Sequence, residues 1–563
     1  MGQLTRRGVF GVLGGTVGLA ACGGASESEA TLDAFDGPLA FEHGVASGDP
    51  LPTRMIFWTR VTRKSETTDD IPVLLEVFQG DTLVQAQALT AKRSADDTVK
   101  FDAAGLKPGT VYSYQFKVIG SDGEVTSPKG RTKTTRASGS EDVKIAFISC
   151  SNYPFGFFNV YKAIGKRDDL DAVIHLGDYL YEYGPDGYGG DVGAQLGRAH
   201  LPAKEIVQLQ DYRERHAQYK ADADLQAAHA AAPWITTWDD HESANDSYRT
   251  GAQNHQPDTE GSWTDRKQVA VQAYLEWMPV RDPEAGKARE ALWRSFTFGD
   301  VATVHALESR LTGRSEEINW STELSDIEPS AVPAKAIEVM GRVNDPNRTM
   351  LGEEQEEWLA GELKASVSSG TTWQLLANQV VMARVRPPNL NRTLTPEQIA
   401  GITNPFVKPL VPFTALQMPL NLDAWDGFPA ARERLYASAK DAGARLITIT
   451  GDTHTGWANT LVDGTGERRG VEFGCTSVTS PGLGDLITNV PDLGQQFADN
   501  NGEVDWYDPF GSGYTLLTLS KDAVEAEFLK VDTLLQPSEN ITTEASFKSS
   551  VDGDSLTALE KIS

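Results

Sequence analysis

The sequence predicts a mixed α/β chain in which a small all-β domain precedes a larger domain containing β-α-β units. Two short apolar runs, at 145–150 and 172–181, are bounded by polar turn residues, as is typical of buried strands. The segment between them, 155–166, has the composition of a helix. Because the crossover of a β-α-β unit is almost always right-handed, both strands are expected to end at the same edge of one sheet.

The segment that precedes this unit is rich in short strand-like runs. Turn residues separate runs of β-branched and aromatic residues at 55–61, 73–78 and 111–118. Leu106 and Pro108 come shortly before Tyr112, a spacing that resembles the tyrosine corner of sandwich domains. These features predict a small all-β sandwich of the fibronectin or immunoglobulin type over residues 39–133. A chain of 563 residues is long enough for such a domain and a second, larger one.

Several apolar runs of the second domain, predicted over 143–535, end at side chains that can bind a metal. These side chains are Cys150, Asp178, Asp240, Asp452 and His454. Ligands of open α/β sheets bind beyond the carboxyl ends of the strands. The sequence therefore predicts a metal centre where these strands end.

Six short motifs carry these side chains or lie between them. They are Ser149-Cys150, Gly177-Asp178-Tyr179-Leu180-Tyr181, Trp238-Asp239-Asp240-His241-Glu242, Leu351-Gly352-Glu353-Glu354-Gln355, Asp423-Ala424-Trp425-Asp426-Gly427 and Gly451-Asp452-Thr453-His454. In this order they resemble the PhoD family of alkaline phosphatases and phosphodiesterases, a branch of the metallophosphoesterases. The resemblance extends over residues 41–531. It implies an α/β (α+β) catalytic domain of the metallophosphoesterase type, a β-sandwich flanked by helices.

The resemblance also implies a centre with two metal ions. Its implied ligands are Cys150, Asp178, Tyr181, Asp240, Asp452 and His454, with Asp178 bridging the ions. The implied ions are Fe(III) beside the cysteine and tyrosine and Ca²⁺ at the neighbouring site. The residue types agree with iron, because a thiolate is a soft donor and a phenol with an ordinary pKa near 10 needs a strong Lewis acid to ionise. Other divalent metals remain open.

The implied reaction is hydrolysis of phosphate monoesters or diesters by a metal-activated hydroxide. Asp240 and His241 are the implied catalytic residues, and Glu242 is expected to orient His241. Arg310 follows a strand-like run, where its guanidinium could bind a substrate phosphate or form a structural ion pair; both alternatives stay open.

Two alternative functions remain beside the monoesterase or diesterase. One is a phosphodiesterase of the phospholipase D type, whose substrates are phospholipids rather than small-molecule phosphate esters. The other, of a different class, is a non-catalytic lipoprotein that binds phosphate or cations. Specific nucleic-acid binding is not expected, because a net charge of −28 repels a phosphate backbone.

The N-terminal residues predict export. Arg6 and Arg7 precede an apolar run that ends near Ala21, which is too short to span a membrane but suits a signal peptide. The paired arginines resemble a twin-arginine export signal, and Cys22 after small residues resembles a lipidation site. Residues 1–22 are therefore predicted to be a signal segment, with a plain secretory peptide as the alternative. The Tat export machinery and a lipid anchor are the expected partners, and the expected location is periplasmic or at the cell surface.

Two more expectations concern the tether and the C-terminal end. Residues 23–38 are rich in Gly, Ser, Ala and acids, a composition that predicts a flexible tether. Residues 536–563 are polar and are predicted to form a loosely packed tail.

A disulfide between Cys150 and Cys475 is possible by counting, since the chain has three cysteines and Cys22 is assigned to lipidation. A metal-bound Cys150 is preferred, because this cysteine lies beside other predicted ligands.

Overall fold

The N-terminal part of the chain is a β-sandwich, which confirms the prediction of a small all-β domain. The computed structural model describes residues 32–328, 330–402, 408, 410–487 and 490–563. The N-terminal strands are β1 (Leu39–Ala40), β2 (Val45–Gly48), β3 (Arg54–Arg60), β4 (Thr62–Arg63), β5 (Ile71–Gln79), β6 (Thr82–Ala91), β7 (Thr98–Ala104), β8 (Val111–Gly120), β9 (Gly123–Thr126) and β10 (Gly130–Lys133).

One layer of this sandwich has the strand order β10-β8-β5-β6, and the other contains β2, β3 and β7. Alternating residues of β8 are buried between the layers, including Tyr114 and Phe116, because successive side chains of a strand point to opposite faces. The hydroxyl of Tyr112 accepts a hydrogen bond from the backbone N–H of Lys107 at 2.8 Å. This contact confirms the predicted tyrosine corner.

The larger part of the chain adds further strands and the helices. Its strands are β11 (Val143–Ile148), β12 (Ala172–His175), β13 (Trp234–Thr236), β14 (Arg294–Phe298), β15 (Ala302–Ala306), β16 (Trp373–Ala377), β17 (Leu446–Thr450), β18 (Gly456–Val462), β19 (Arg468–Gly474), β20 (Val504–Asp508), β21 (Gly513–Leu519), β22 (Ala523–Val531), β23 (Ile541–Asp552), β24 (Ser555–Leu556) and β25 (Glu560–Lys561). Its helices are α1 (Asn159–Gly165), α2 (Gly190–Leu196), α3 (Leu209–Lys220), α4 (Ala223–Ala231), α5 (Pro257–Glu260), α6 (Trp263–Trp277), α7 (Trp320–Glu323), α8 (Val332–Val343), α9 (Glu353–Ser368), α10 (Leu390–Thr393), α11 (Pro396–Gly401), α12 (Leu410–Phe413), α13 (Pro429–Ala442), α14 (Leu483–Leu486) and α15 (Leu493–Asn500).

These strands form two facing layers with helices outside them. One sheet has the order β24-β23-β22-β21-β11-β12-β13-β2-β3-β7, and the other has the order β14-β15-β16-β17-β19-β18-β20. Apolar side chains of both sheets, such as Phe147 and Phe473, meet in the core between them. Separate apolar clusters include residues of α1, α3, α4 and α6 on one side and of α9, α13 and α15 on the other. The predicted β-sandwich flanked by helices is confirmed.

The β-α-β unit predicted from the sequence is present. Strands β11 and β12 pair in parallel, with Ile145 opposite Ala172, and α1 connects them. Strand β13 pairs in parallel with β12, so the three strands end in the same direction. Strand β17 lies in the facing sheet. Residues from both layers therefore reach the same end of the sandwich.

The N-terminal sandwich shares a sheet with the larger part of the chain. Strand β2 pairs in parallel with β13, with Gly48 opposite Trp234. A side chain at Gly48 would meet the carbonyl oxygens of Pro279 and Trp234 at 2.2 and 2.7 Å, so this close approach requires glycine. Residues 32–563 form one compact unit because the sheet continues across the predicted domain boundary.

The structure contradicts the end of the predicted tether and the predicted loose tail. The last residues of the predicted tether are packed, because Phe35 is buried in the sandwich core and its N–H donates to the Ile119 carbonyl at 2.8 Å. The predicted loose tail, 536–563, contains β23, which pairs with β22 along its length. Its residues Thr542, Thr543 and Glu544 are exposed, while Ala545 and Phe547 enter the core.

The predicted signal segment 1–22 lies outside the described residues, as does the first part of the predicted tether. Among the residues that are described, no helix combines the length and the apolar character needed to cross a membrane.

Candidate metal centre

The predicted ligands occupy an unusual backbone conformation just beyond the strand ends. Cys150 and Asp178, after β11 and β12, have φ angles of 61° and 55°. Asp452 and His454, after β17, have φ angles of 61° and 60°. Left-handed conformations of non-glycine residues are uncommon and concentrate at functional sites. Asp452 and His454 therefore lie in a bend beyond the end of β17.

Four predicted ligands come together at this end of the sandwich. Ligand atoms of Cys150, Asp178 and His454 all lie within 4.8 Å of one another. The hydroxyl of Tyr181 lies 3.0 Å from Asp178 Oδ2 and 3.3 Å from His454 Nε2. The Nδ1 atom of His454 lies 3.0 Å from the Pro481 carbonyl oxygen, which fixes the ring. This thiol, carboxyl, phenol and imidazole set could hold one metal ion.

A second group shares one residue with the first. Ligand atoms of Asp178, Asp240 and His241 also lie within 4.8 Å of one another. Among the described residues, Asp178 Oδ1 is buried without a hydrogen-bond partner. Asp178 Oδ2 is near the Tyr181 hydroxyl. The shared carboxylate therefore occupies the position that a bridging ligand requires.

Two glycines allow the ligand loops to approach one another. Gly177 has a φ of 110°, and a Cβ there would lie 2.3 Å from the backbone nitrogen of Asp239. A Cβ at Gly451 would lie 2.4 Å from Ser149 Oγ. A larger residue at either position would push apart loops that carry predicted ligands.

The ligand set concentrates acidic groups in a buried site. Burial raises the pKa of Cys150 well above its usual value, and the nearby Asp178 carboxylate raises it further. Burial and the same carboxylate also raise the pKa of Tyr181. Burial, together with Asp240, Asp239 and other carboxylates, raises the pKa of Asp178. Cations would favour the deprotonated forms of all three groups, so the unpaired Asp178 oxygen and this donor set fit bound metals.

The histidine of the second group is held by Glu182 rather than by Glu242. His241 Nδ1 lies 2.7 Å from Glu182 Oε2, and its ring stacks on Tyr181 with centroids 4.1 Å apart. Burial alone would lower the pKa of His241, but Asp240, Glu182 and Asp178 together raise it well above its usual value. The prediction that Glu242 orients His241 is wrong, because Glu182, which directly follows Tyr181 in the sequence, makes that contact.

Glu242 instead connects the two ligand loops. Its buried carboxylate accepts hydrogen bonds from the backbone N–H groups of Asp178 at 3.0 Å, Tyr179 at 2.6 Å and Asp239 at 2.9 Å. Three donors from two loops converge on one side chain, so Glu242 fixes the distance between the Asp178 and Asp240 loops. Partners behind the ligands commonly set ligand orientation and metal affinity.

We expect Glu242→Gln to lower metal affinity and turnover by roughly 10- to 100-fold. An amide NH₂ cannot accept the N–H groups that the carboxylate accepts, so the two loops would separate. Metal titration and steady-state kinetics would measure the loss. Asp171→Asn is the matched control, because Asp171 is also buried and accepts from the backbone N–H of Lys144 at 2.9 Å, away from the ligand loops. Equal effects of both variants would contradict a positioning role.

Arg310 lies in a buried ion-pair network beside the ligand loops. Its side chain is 0% exposed, its Nε donates to Asp239 at 2.5 Å, and its Nη1 donates to Asp423 at 2.7 Å. Arg310 therefore forms structural ion pairs, while its Nη2 atom has no hydrogen-bond partner among the described residues. Binding of a substrate phosphate by Arg310 stays a prediction. The buried guanidinium holds Asp239 beside Asp240 and anchors the Asp423 loop.

Asp452 is also separate from the two groups described above. Its Oδ1 lies 3.9 Å from Arg310 Nη2, and Asp452 belongs to neither of those groups. Burial and the carboxylates of Asp239 and Asp423 raise the pKa of Asp452 well above its usual value. Its ligand role stays a prediction.

A third group of acidic residues was not predicted from the sequence. Carboxylate oxygens of Asp246, Glu317 and Asp423 lie within 4.8 Å of one another and could also hold a cation. Burial and the Asp423 carboxylate raise the pKa of Glu317 to about 7. The motif around Asp423 was a usable signal, whereas Glu317 lies in no recognisable pattern.

The alternative disulfide is contradicted, since Cys150 and Cys475 are both buried free cysteines. The Oγ atom of Ser149 lies 3.1 Å from Cys150 Sγ and 3.5 Å from Cys475 Sγ. Burial raises the pKa of the Cys475 thiol to about 12. Among the described residues, this thiol has no hydrogen-bond contact with a predicted ligand. Cys475 therefore packs behind the site as a thiol.

Comparisons with known proteins agree with this geometry. Residues 145–528 match the family model of the PhoD-like phosphatase, and residues 26–136 match the model of the PhoD-like phosphatase N-terminal domain. The chain is 34% identical over 539 residues to alkaline phosphatase D of Bacillus subtilis (strain 168), covering 93% of this chain and 82% of that protein.

Two solved structures are similar to this fold. A structure of PhoD has 31% sequence identity and a TM-score of 0.73, with 93% of this chain and 92% of that chain covered. The purple acid phosphatase PPD1 of yellow lupin (Lupinus luteus) has 12% identity and a TM-score of 0.50, with 90% and 73% covered. The second likeness concerns the fold alone.

Proposed function

Because the chain belongs to the PhoD-like phosphatase family and is a phosphoesterase, we propose that it is an exported, metal-dependent enzyme that hydrolyses phosphate monoesters, diesters or both. The observation that carries the proposal is the position of Asp178 in two adjacent ligand groups, with one buried oxygen unpaired. A carboxylate between two cation sites suits phosphoester hydrolysis, which requires neutralisation of the phosphoryl oxygens.

The proposed ions follow from the chemistry of the donors. Cys150, Asp178, Tyr181 and His454 would hold iron, because thiolate and phenolate donors favour a strongly polarising transition metal. Asp178 and Asp240 would contribute to a neighbouring calcium site, because carboxylate oxygens are the donors that calcium prefers. When bound, the ions would supply Lewis-acid activation of water and neutralise charge on the phosphoryl group.

The protein groups around these sites have separate roles in the proposal. Glu182 accepts from His241 Nδ1, which leaves Nε2 free to donate a proton to the departing alcohol oxygen. Asp240 lies beside that ring and is itself fixed by the N–H groups of His241 at 2.9 Å and Asp246 at 2.6 Å. The substrate's leaving oxygen is expected to face His241.

The ester class is the central point to test. Purified protein should release nitrophenol from 4-nitrophenyl phosphate, from bis(4-nitrophenyl) phosphate, or from both. A chelator should abolish turnover, and iron with calcium should restore it. The ratio of the two kcat/KM values would assign monoesters or diesters, and a phospholipid assay would extend the diester class. Failure to turn over any of these esters in metal-loaded protein would overturn the proposal.

Export and lipidation are proposed from Arg6, Arg7 and Cys22, which lie outside the described residues. We expect replacement of both arginines by lysine to leave precursor in the cytoplasm, because the twin-arginine pathway requires the arginine pair. Cell fractionation would measure this, with Lys92→Arg as a charge-conserving control. Normal export of the double variant would contradict twin-arginine transport.

Mass spectrometry of the mature N-terminus would test lipidation of Cys22 separately.

A further inference from the structure

An apolar cavity of about 120 Å³ lies beside the candidate metal centre. Its walls include Val381, Ala383, Leu420, Trp457 and Phe497. A dry engineered cavity of about 150 Å³ with similar lining binds benzene. The cavity therefore has the size and character to hold a ring or a short alkyl chain.

Three loops of the candidate centre also form walls of this cavity. Thr453 and Thr455 line it and flank His454, which belongs to the first ligand group. Asn421 and Ala424, which flank Asp423 in the sequence, also line it. Leu483 lines it two residues after Pro481, whose carbonyl contacts the His454 ring. The cavity is thus adjacent to loops that carry or hold residues of the candidate centre.

The polar groups of these walls are already paired within the protein. Thr453 Oγ1 lies 3.0 Å from Thr455 Oγ1 and accepts from Trp457 Nε1 at 2.9 Å. The Asp426 carboxylate accepts from Arg432 at 2.9 Å and from the Val385 N–H at 2.8 Å. A polar ligand would gain few hydrogen bonds here, whereas an apolar group would gain by leaving water.

A second cleft, of polar character, also lies near the Asp423 loop. Asp246, Glu317 and Arg348 line a polar cleft of about 510 Å³. Since Asp246 and Glu317 form a group with Asp423, the cleft and the apolar cavity adjoin the same loop.

We propose that the apolar cavity binds an apolar alkyl or aryl substituent of the phosphate ester, and so selects substrates by that substituent. This inference rests on the proposed function, because it takes the phosphoryl group to lie at the Asp178 centre. Each methylene that enters the cavity should strengthen binding by about fourfold, as burial of a CH₂ group does elsewhere.

The experiment measures binding of an inert homologous series to metal-loaded, full-length protein. Calorimetry gives Kd for ethyl-, butyl- and hexylphosphonate, which share one phosphonate headgroup. Hexylphosphonate has four more methylenes than ethylphosphonate, so we expect it to bind roughly 250-fold more tightly when all four enter the cavity. Ala383→Leu, which fills the cavity, should remove that gain, and Ala360→Leu on the partly exposed face of α9 should keep it.

A second variant keeps the test decisive if Ala383→Leu does not fold. Leu420→Ala removes an apolar wall and should weaken hexylphosphonate binding several-fold while leaving ethylphosphonate binding unchanged. Equal affinity across the series in the native protein, or a gain that survives in both cavity variants, would overturn the inference. If the native protein hydrolyses no ester but still binds hexylphosphonate more tightly than ethylphosphonate, the proposed function is overturned instead.

Discussion

Asp178→Asn should reduce turnover by roughly a thousandfold or more, because metal stabilisation of transition-state charge is worth several kcal/mol. Asp178 belongs to both ligand groups, and its Oδ1 has no protein partner among the described residues. An amide has one oxygen and no charge, so it cannot bridge two cations as a carboxylate can. Steady-state kinetics and elemental analysis of the purified variant would show the loss of activity and of bound metal.

The control for this variant is Asp171→Asn. Asp171 is a buried aspartate near the opposite end of the same strand unit, and its carboxylate pairs with Lys133 at 2.6 Å. That variant should retain metal content and turnover, since it lies outside both ligand groups. Full metal content and full turnover in Asp178→Asn would contradict the assignment of the metal centre.

Cys150→Ser should lose iron, visible colour and most activity. A thiolate and a phenolate on iron produce charge-transfer absorption, and an alcohol is a poor substitute because it is hardly ionised at neutral pH. Cys475→Ser is the matched control, because Cys475 is equally buried and lies 3.5 Å from the same Ser149 hydroxyl. That control should lose little activity, apart from a packing cost. Metal analysis with an absorption spectrum would compare the two variants.

Cys150→Asp extends the same experiment. A carboxylate is a harder donor than a thiolate, so this variant should recover part of the activity with manganese. Iron and turnover that persist in Cys150→Ser would show that the metal is held without the thiolate. The assignment of iron would then depend on Tyr181, whose hydroxyl lies within 3.3 Å of His454 Nε2.

Much of the site could be predicted because its ligands follow recognisable strand ends. The β-α-β pattern in the sequence predicts that Cys150 lies near Asp178, and the parallel pairing of β11 with β12 confirms that arrangement. The motifs identified Tyr181 and His454 as further metal ligands. Local sequence carries this information because strand period and turn residues act over a few positions.

The contacts that the sequence left open or predicted wrongly depend on residues distant in sequence. The ion pairs of Arg310 could not be read from its own segment, because Asp239 and Asp423 come from two other segments. Glu242 accepts from backbone groups of the Asp178 loop rather than from His241, which Glu182 holds instead. Such choices depend on which loops meet in three dimensions, and no local pattern specifies them.

The predicted tail shows a different limit. In β23, Ser and Thr occupy both exposed and buried positions. The sequence therefore lacks the alternation of apolar and polar residues that indicates a strand, and its composition is that of a loop. Pairing with β22 over the length of β23 supplies the order that composition does not indicate.

The pairing of β2 with β13 constrains the order in which the protein can be assembled during synthesis. Strand β2 leaves the ribosome long before Trp234 of β13 is made. The edge of β2 that pairs with β13 therefore stays unpaired until then. An N-terminal fragment ending before β13 would present that edge to other chains and should aggregate when expressed alone. Secretion as an already folded protein would avoid exposing the edge outside the cytoplasm.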